Sequence, residues 1–160
     1  MVKDMLQPMP QKPRAVNPAA DHLRLEGNVV GLWFEMQARL QAHFTDLAAQ
    51  HDLSAAQAKV LMQLQPDVPV TMRNLAGQLQ YDASNLTGVV DRLEEMKAVR
   101  RQAQPNDRRA KAVLLTEEGK RLRKAFWERL TSKSGPLGSL NSRELTSLRT
   151  LLRSALRTDR

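Results

Sequence analysis

VRRQAQPNDRRAK, residues 99–111, decides how this chain reads. Arg100, Arg101, Arg108, Arg109 and Lys111 face the single acid Asp107, which gives +4 in thirteen residues, half of the protein's net +8. Pro105-Asn106-Asp107 is turn chemistry, because proline presets one backbone dihedral and Asn and Asp tolerate a tight bend. The flanking VRRQAQ and AKAVLL are short and suitably composed to pair as strands across it. A lone two-stranded hairpin is marginal in water, so this one must lean on a neighbouring core. A basic finger standing off a packed domain suits a polyanion, above all a nucleic-acid backbone.

Immediately upstream lie two short helical patterns. Thr71 caps the first, whose Met72, Leu75, Ala76 and Leu79 fall at i, i+3, i+4 and i+7, with Val70 and Leu75 placed as a hydrophobic staple. After Gln80-Tyr81 the pattern restarts: Asp82 is an N-cap candidate, and Leu86, Val89, Val90, Leu93 and Met96 mark a buried stripe to about Lys97. Ser84, Asn85, Thr87, Gly88, Asp91 and Arg92 lie on the other side. Small donors and acceptors at the N-terminal end of a second helix suit the reading of base edges in a major groove. Two adjacent helices alone are a weak sign. Followed at once by a basic hairpin, they spell a winged helix-turn-helix.

Further out the chain is helical as well. Residues 1–16, with prolines at 8, 10 and 13, read as an unstructured tail. Asn17-Pro18 then opens a long amphipathic helix to about Gln50, with Val29, Trp33, Met36, Leu40, Phe44 and Leu47 recurring every three or four residues. Ser54-x-x-Gln57 is a capping box for a helix through Leu64, closed by Pro66 and Pro69. Thr116-Glu117-Glu118 starts another helix, to roughly Lys133, with acids at its positive end. SGPLGS interrupts it. Asn141-x-x-Glu144 is a second capping box, and Leu145, Leu148, Leu151, Leu152, Ala155 and Leu156 carry the last helix.

Composition narrows the function. The 160 residues fit one domain or one protomer of an intertwined oligomer, and aromatics at 4% leave little material for base-stacking platforms. Residues 17–98 are net negative, so the positive excess sits in the hairpin and beyond, giving the chain a basic edge. There is no cysteine, which excludes disulfides, thiolate metal sites and cysteine-based redox sensing. His22, His43 and His51 have no metal-ligand spacing, and no metal or other cofactor is expected. No nucleophile–base pair, phosphate-cradling glycine loop or paired-carboxylate motif supports an enzyme. The N-terminus lacks a signal-peptide core and no run is long enough to span a membrane, so the expected location is cytoplasmic.

Leu75-Ala76-x-x-Leu79, Leu86-Thr87-x-x-Val90-Asp91-Arg92-Leu93-Glu94, Asp107-Arg108-Arg109 and Leu115-Thr116-x-x-Gly119, in that order, resemble the multiple-antibiotic-resistance-regulator (MarR) family of bacterial transcription factors. The resemblance covers roughly residues 20–158, with its specific motifs between 71 and 120. It implies an obligate homodimer, with dimerisation helices at about 18–50, 116–133 and 142–157 around a DNA-binding core at about 54–115, the domain as a whole taking in 17–160. It also implies that the helix at 82–97 reads the major groove. Arg109 would enter the minor groove with Asp107 orienting it, and a small-molecule effector would tune affinity. One departure is visible: the family often has Gly before the first wing strand, where this chain has Met96-Lys97-Ala98. A non-glycine there carries a left-handed backbone at a cost of about 1 kcal/mol.

The sequence therefore predicts a mainly α protein with a small β-hairpin wing. Its expected partner is double-stranded DNA, contacted by Arg73, Ser84, Asn85, Thr87, Gly88, Arg92, Arg108, Arg109 and Lys111, with Asp107 orienting the wing. Taken singly, Arg100, Arg101 and Lys111 read as a solvated face, whereas Arg108 and Arg109 beside a turn read as phosphate or groove contacts. Asp91-Arg92 is either an internal pair aiming Arg92 at phosphate or a surface pair. Ser84 and Asn85 could instead help cap their helix. Trp33, Phe34 and Phe44 suit a core or dimer interface better than an effector pocket. Two other functions remain open at this point: a helical interaction module whose hairpin binds an acidic protein, and a non-specific nucleoid coat.

Overall fold

A computed structural model describes the backbone of residues 18–104 and 107–157; the side chains at 18, 20, 104 and 107–110 lie outside the described residues. The elements run α1 (Pro18–Gln50), α2 (Ala55–Gln63), β1 (Val70–Thr71), α3 (Met72–Leu79), α4 (Ala83–Glu95), β2 (Val99–Gln104), β3 (Asp107–Leu115), α5 (Glu117–Leu130) and α6 (Ser142–Ala155). The chain divides into two compact units at Gln37/Ala38. In the first, the described stretch of α1 exposes Leu23, Val29, Trp33 and Phe34. No helix among the described residues is long and apolar enough to cross a membrane.

The second unit holds the core. Leu47 and Ala48 of α1, Val60 and Leu61 of α2, Leu75 of α3 and Leu86, Val90 and Leu93 of α4 bury their side chains together. Ala98 and Val99, Val113 and Leu115, and Phe126 of α5 join them. Each fully buried Leu or Val contributes about 1.5–3 kcal/mol over an exposed one. Phe126 meets Phe44 edge-on, with ring centroids 5.1 Å apart.

Local chemistry sets the boundaries. Helix α1 ends where Asp52 takes a left-handed φ of 56°, a conformation Asp tolerates better than most residues. The Ser54–Gln57 capping box is complete, Ser54 N donating to Gln57 Oε1 at 2.6 Å and Gln57 N to Ser54 Oγ at 3.2 Å. Thr71 Oγ1 accepts from Asn74 N at 3.2 Å. Gln80 at φ 54° stops α3, and three residues later α4 begins, which makes the helix-turn-helix.

The sheet order is β1-β3-β2, all antiparallel. The wing hairpin is present as expected; the two-residue β1, pairing Val70 with Val113 and Thr71 with Ala112, was not foreseen. The turn residues Pro105 and Asn106 lie outside the described residues, as does the tail at 1–16. Three expectations need correction. Met96 is 37% exposed, because α4 ends at Glu95 and leaves Met96 as the C-cap, off the buried stripe. Asp82 occupies the N-cap position of α4 but makes no side-chain capping bond. Helix α5 stops at Leu130, short of Lys133, where Thr131 Oγ1 donates back to Trp127 O at 2.8 Å.

Candidate nucleic-acid interface

Burial divides α4 into two faces. Leu86, Val90 and Leu93 are fully buried, while Ser84, Asn85, Thr87, Gly88 and Arg92 are exposed. Ser84, Asn85, Gly88 and Arg92 come together along one shallow open groove, whose other wall is formed by Ser54 and Gln57 at the N-terminus of α2. Sequence reasoning took Ser54 and Gln57 only as a cap. Their place beside α4 depends on the packing of α2 against it, for which no local signal exists. A Cβ built on Gly88 would meet nothing within 4 Å, so the glycine leaves open surface there.

The hydrogen bonds sort these residues further. Thr87 Oγ1 donates to Ala83 O at 2.8 Å, so its proton is used inside the helix and only its lone pairs and methyl face outward. Arg92 does not pair with Asp91. It pairs with Glu95 at 2.9 Å, with both side chains more than 60% exposed, a contact weak enough to yield to a phosphate. Asp91 pairs instead with Arg101, at 2.6 Å. Arg73 on α3 and Lys111 on β3 are exposed and do not line this groove. Asp107, Arg108 and Arg109 belong to β3 by backbone, but their side chains lie outside the described residues.

Arg101 corrects the solvated-face reading. Its side chain is only 18% exposed and bridges two carboxylates of α4, with Nη1 on Glu94 Oε2 at 2.5 Å and Nη2 on Asp91 Oδ1. Its own backbone N–H donates to Glu94 Oε1 at 3.0 Å. Burial pulls the guanidinium down, but the hydrogen bonds and charges of Asp91 and Glu94 outweigh it and raise the group above its ordinary value. The acids Asp91, Glu94 and Glu95 of α4 are thus each paired with an arginine.

The wing leaves α4 through a fixed corner. Lys97 adopts a left-handed φ of 58°, the conformation that the missing glycine would favour. Thr116 Oγ1 donates to Lys97 O at 2.5 Å and Thr116 N to Ala98 O at 3.1 Å. Gly119 N returns a bond to Thr116 Oγ1 at 3.0 Å. A Cβ on Gly119 would stand 1.8 Å from Ala98 O, so the Thr116-x-x-Gly119 spacing has a steric cause. Among the described residues no cluster of His, Asp or Glu could hold a metal ion.

A model of the MarR family matches residues 53–111, the stretch from the start of α2 into the wing. A curated relative, an HTH-type transcriptional regulator called YfiV from Bacillus subtilis, is 36% identical over 78 residues, and the match spans about half of each chain. Among solved structures, the apo form of wild-type MarR from E. coli aligns with a TM-score of 0.69 at 26% identity, over 78% of this chain and 93% of that one. A mutant of E. coli MarR complexed with operator DNA aligns at 0.64 and 25% identity, over 81% and 94%. Bordetella bronchiseptica BpsR, whose DNA binding is described as regulated by 6-hydroxynicotinic acid, aligns at 0.62 and 28% identity, over 80% and 98%.

Proposed function

We propose that the chain is a regulator of the MarR type, a sequence-specific double-stranded DNA-binding transcriptional regulator, as the family match over residues 53–111 and the similar solved structures support. It acts as a homodimer on a pseudo-palindromic operator, represses from it, and is released by a small-molecule effector. The DNA-binding core is about 54–115 and the dimerisation helices about 18–50 and 116–158. It works in the bacterial cytoplasm, associates with the nucleoid when bound, and catalyses no reaction. The observation that carries this reading is the exposed N-terminal face of α4, polar and open, held beside a basic hairpin by a core that buries the other face. Operator-bound MarR and effector-regulated BpsR support the partner classes by analogy.

The same reading assigns roles by residue chemistry and place in the sequence. Asn85 and Ser84 suit base edges, Arg92 a phosphate beside the groove, and Arg73, Lys111, Arg108 and Arg109 phosphates or the minor groove, with Asp107 orienting the wing. A dimer axis would set two α4 helices about one DNA turn apart. The test is affinity for a duplex selected from random sequence against an unselected one, across a salt series. A regulator prefers the selected duplex by about 10³-fold or more. Equal affinity for both duplexes would point to a nucleoid coat, and weak affinity for both to an acidic protein partner.

A further inference from the structure

We propose that Arg101 is a positioning residue for DNA recognition: it fixes the angle at which the wing leaves α4, so that helix and wing engage one duplex together. The proposal rests on the DNA-binding reading above. Arg101 contacts three successive turns of α4, through Thr87 O at 3.5 Å, Asp91 and Glu94. Those residues fall at i, i+4 and i+7, on one face. The bond from its own N–H to Glu94 ties the strand backbone, not only the side chain, to the helix.

Arg101 is poorly placed to touch DNA itself. Arg92 shares one carboxylate at the surface and can swing away, whereas Arg101 is largely buried and held by two. Its planar fork can satisfy two carboxylates at once, which a lysine ammonium cannot match in geometry. The lever is long enough to matter. From Arg101 to the end of β2 at Gln104 is roughly 10 Å at ~3.3 Å per residue. A tilt of about 10° there would move the strand end by roughly 2 Å, enough to break hydrogen bonds that need donor and acceptor within about 3 Å.

The test uses the full-length protein and the duplex it retains from a random-sequence library. Hydroxyl-radical cleavage reports wing contact in the flanking minor groove, and dimethyl sulfate protection of guanine N7 reports α4 in the major groove. Arg101→Met should keep the N7 protection, lose the flanking protection and bind at least tenfold more weakly. The informative partner is Asp91→Asn with Glu94→Gln. That variant is more positive by two charges, so a merely electrostatic role predicts tighter binding; positioning predicts the same lost flanking footprint. If Arg101→Met does not melt cooperatively, Arg101→Lys is judged by the same readings. Unchanged flanking protection in folded variants overturns the proposal, as does simultaneous loss of both protections at an unchanged melting temperature. Wild-type protein that retains no preferred duplex overturns the DNA-binding reading instead, and that result is visible before any variant is made.

Discussion

Helices α4 and α6 are nearly the same length, thirteen and fourteen residues, and both carry a leucine-rich stripe. Helix α6 is the better capped, because Asn141 and Glu144 complete a capping box while Asp82 of α4 makes no side-chain bond. Yet α4 fully buries Leu86, Val90 and Leu93, while α6 fully buries no residue and leaves Leu148 and Leu152 half-buried. Leu151 and Leu156 are 67% and 78% exposed. Capping makes a helix; it does not give the helix a partner. The core around α4 is completed by its own chain, whereas α6 and the first stretch of α1 present apolar surface that a second copy would cover.

The completed half should break from within. Gly119→Ala drives a Cβ into the backbone oxygen that fixes the wing corner, and neither Ala98 O nor Thr116 can move without losing a hydrogen bond. We expect a loss of about 3 kcal/mol, read by urea denaturation at fixed protein concentration. A change below about 0.5 kcal/mol would mean that the corner is soft and the contrast with α6 overstated.

The unfinished half should break only between copies. Leu151→Glu alters a side chain already mostly in water, so within one chain it should cost less than about 0.5 kcal/mol. In a dimer it buries a charge on apolar surface, and we expect dimer dissociation to strengthen by about 100-fold, or roughly 2.7 kcal/mol. Sedimentation equilibrium separates the two cases. A wild-type monomer at micromolar concentration would remove the second copy altogether.

The same contrast explains what the sequence could reveal. Both capping boxes and the Thr71 cap were legible because an i to i+3 hydrogen bond is written in four residues. The hairpin was legible from its turn and flanking strands. Strand β1 was not: it is two residues long and pairs across forty-three positions, Val70 to Val113. The inward turn of Arg101 was equally hidden. Strand alternation allows two faces, and which one meets α4 depends on the corner at Lys97 and on register with β3. The exposure of Ser84, Asn85, Gly88 and Arg92 was legible because they are what remains once the buried stripe is removed. Of the site's ion pairs, Arg92–Glu95 was legible in principle as an i,i+3 neighbour on one helix, whereas Arg101–Asp91 is decided by packing.

On the open face of α4, a variant should change binding without changing the core. Asn85→Ala should leave stability within about 0.5 kcal/mol of wild type. It should cost about 1–3 kcal/mol on the selected duplex and little on random DNA, relaxing one base pair per half-site. Arg109→Ala should differ by weakening both duplexes and flattening the salt slope by roughly one unit. Equal losses on both duplexes for Asn85→Ala would take it out of the base-reading set.

Lys97 supplies the finest cut. Helix α4 closes with Ala98 N donating to Leu93 O and Lys97 N to Glu94 O, both at 2.9 Å. That is the paired-bond ending in which the residue after the cap is usually glycine. Lys97 holds the position at φ 58°, against the steric preference of an L-residue. Lys97→Gly should relieve about 1 kcal/mol of that strain, partly offset by the greater freedom glycine gives the unfolded chain. A net gain of roughly 0.5 kcal/mol is expected in urea denaturation. Binding should stay within about twofold and the wing footprint unchanged, because the angle is held by Thr116, Gly119 and Arg101 rather than by the side chain at 97. A more stable protein with a lost flanking footprint would show instead that the wing's angle depends on the strained lysine corner.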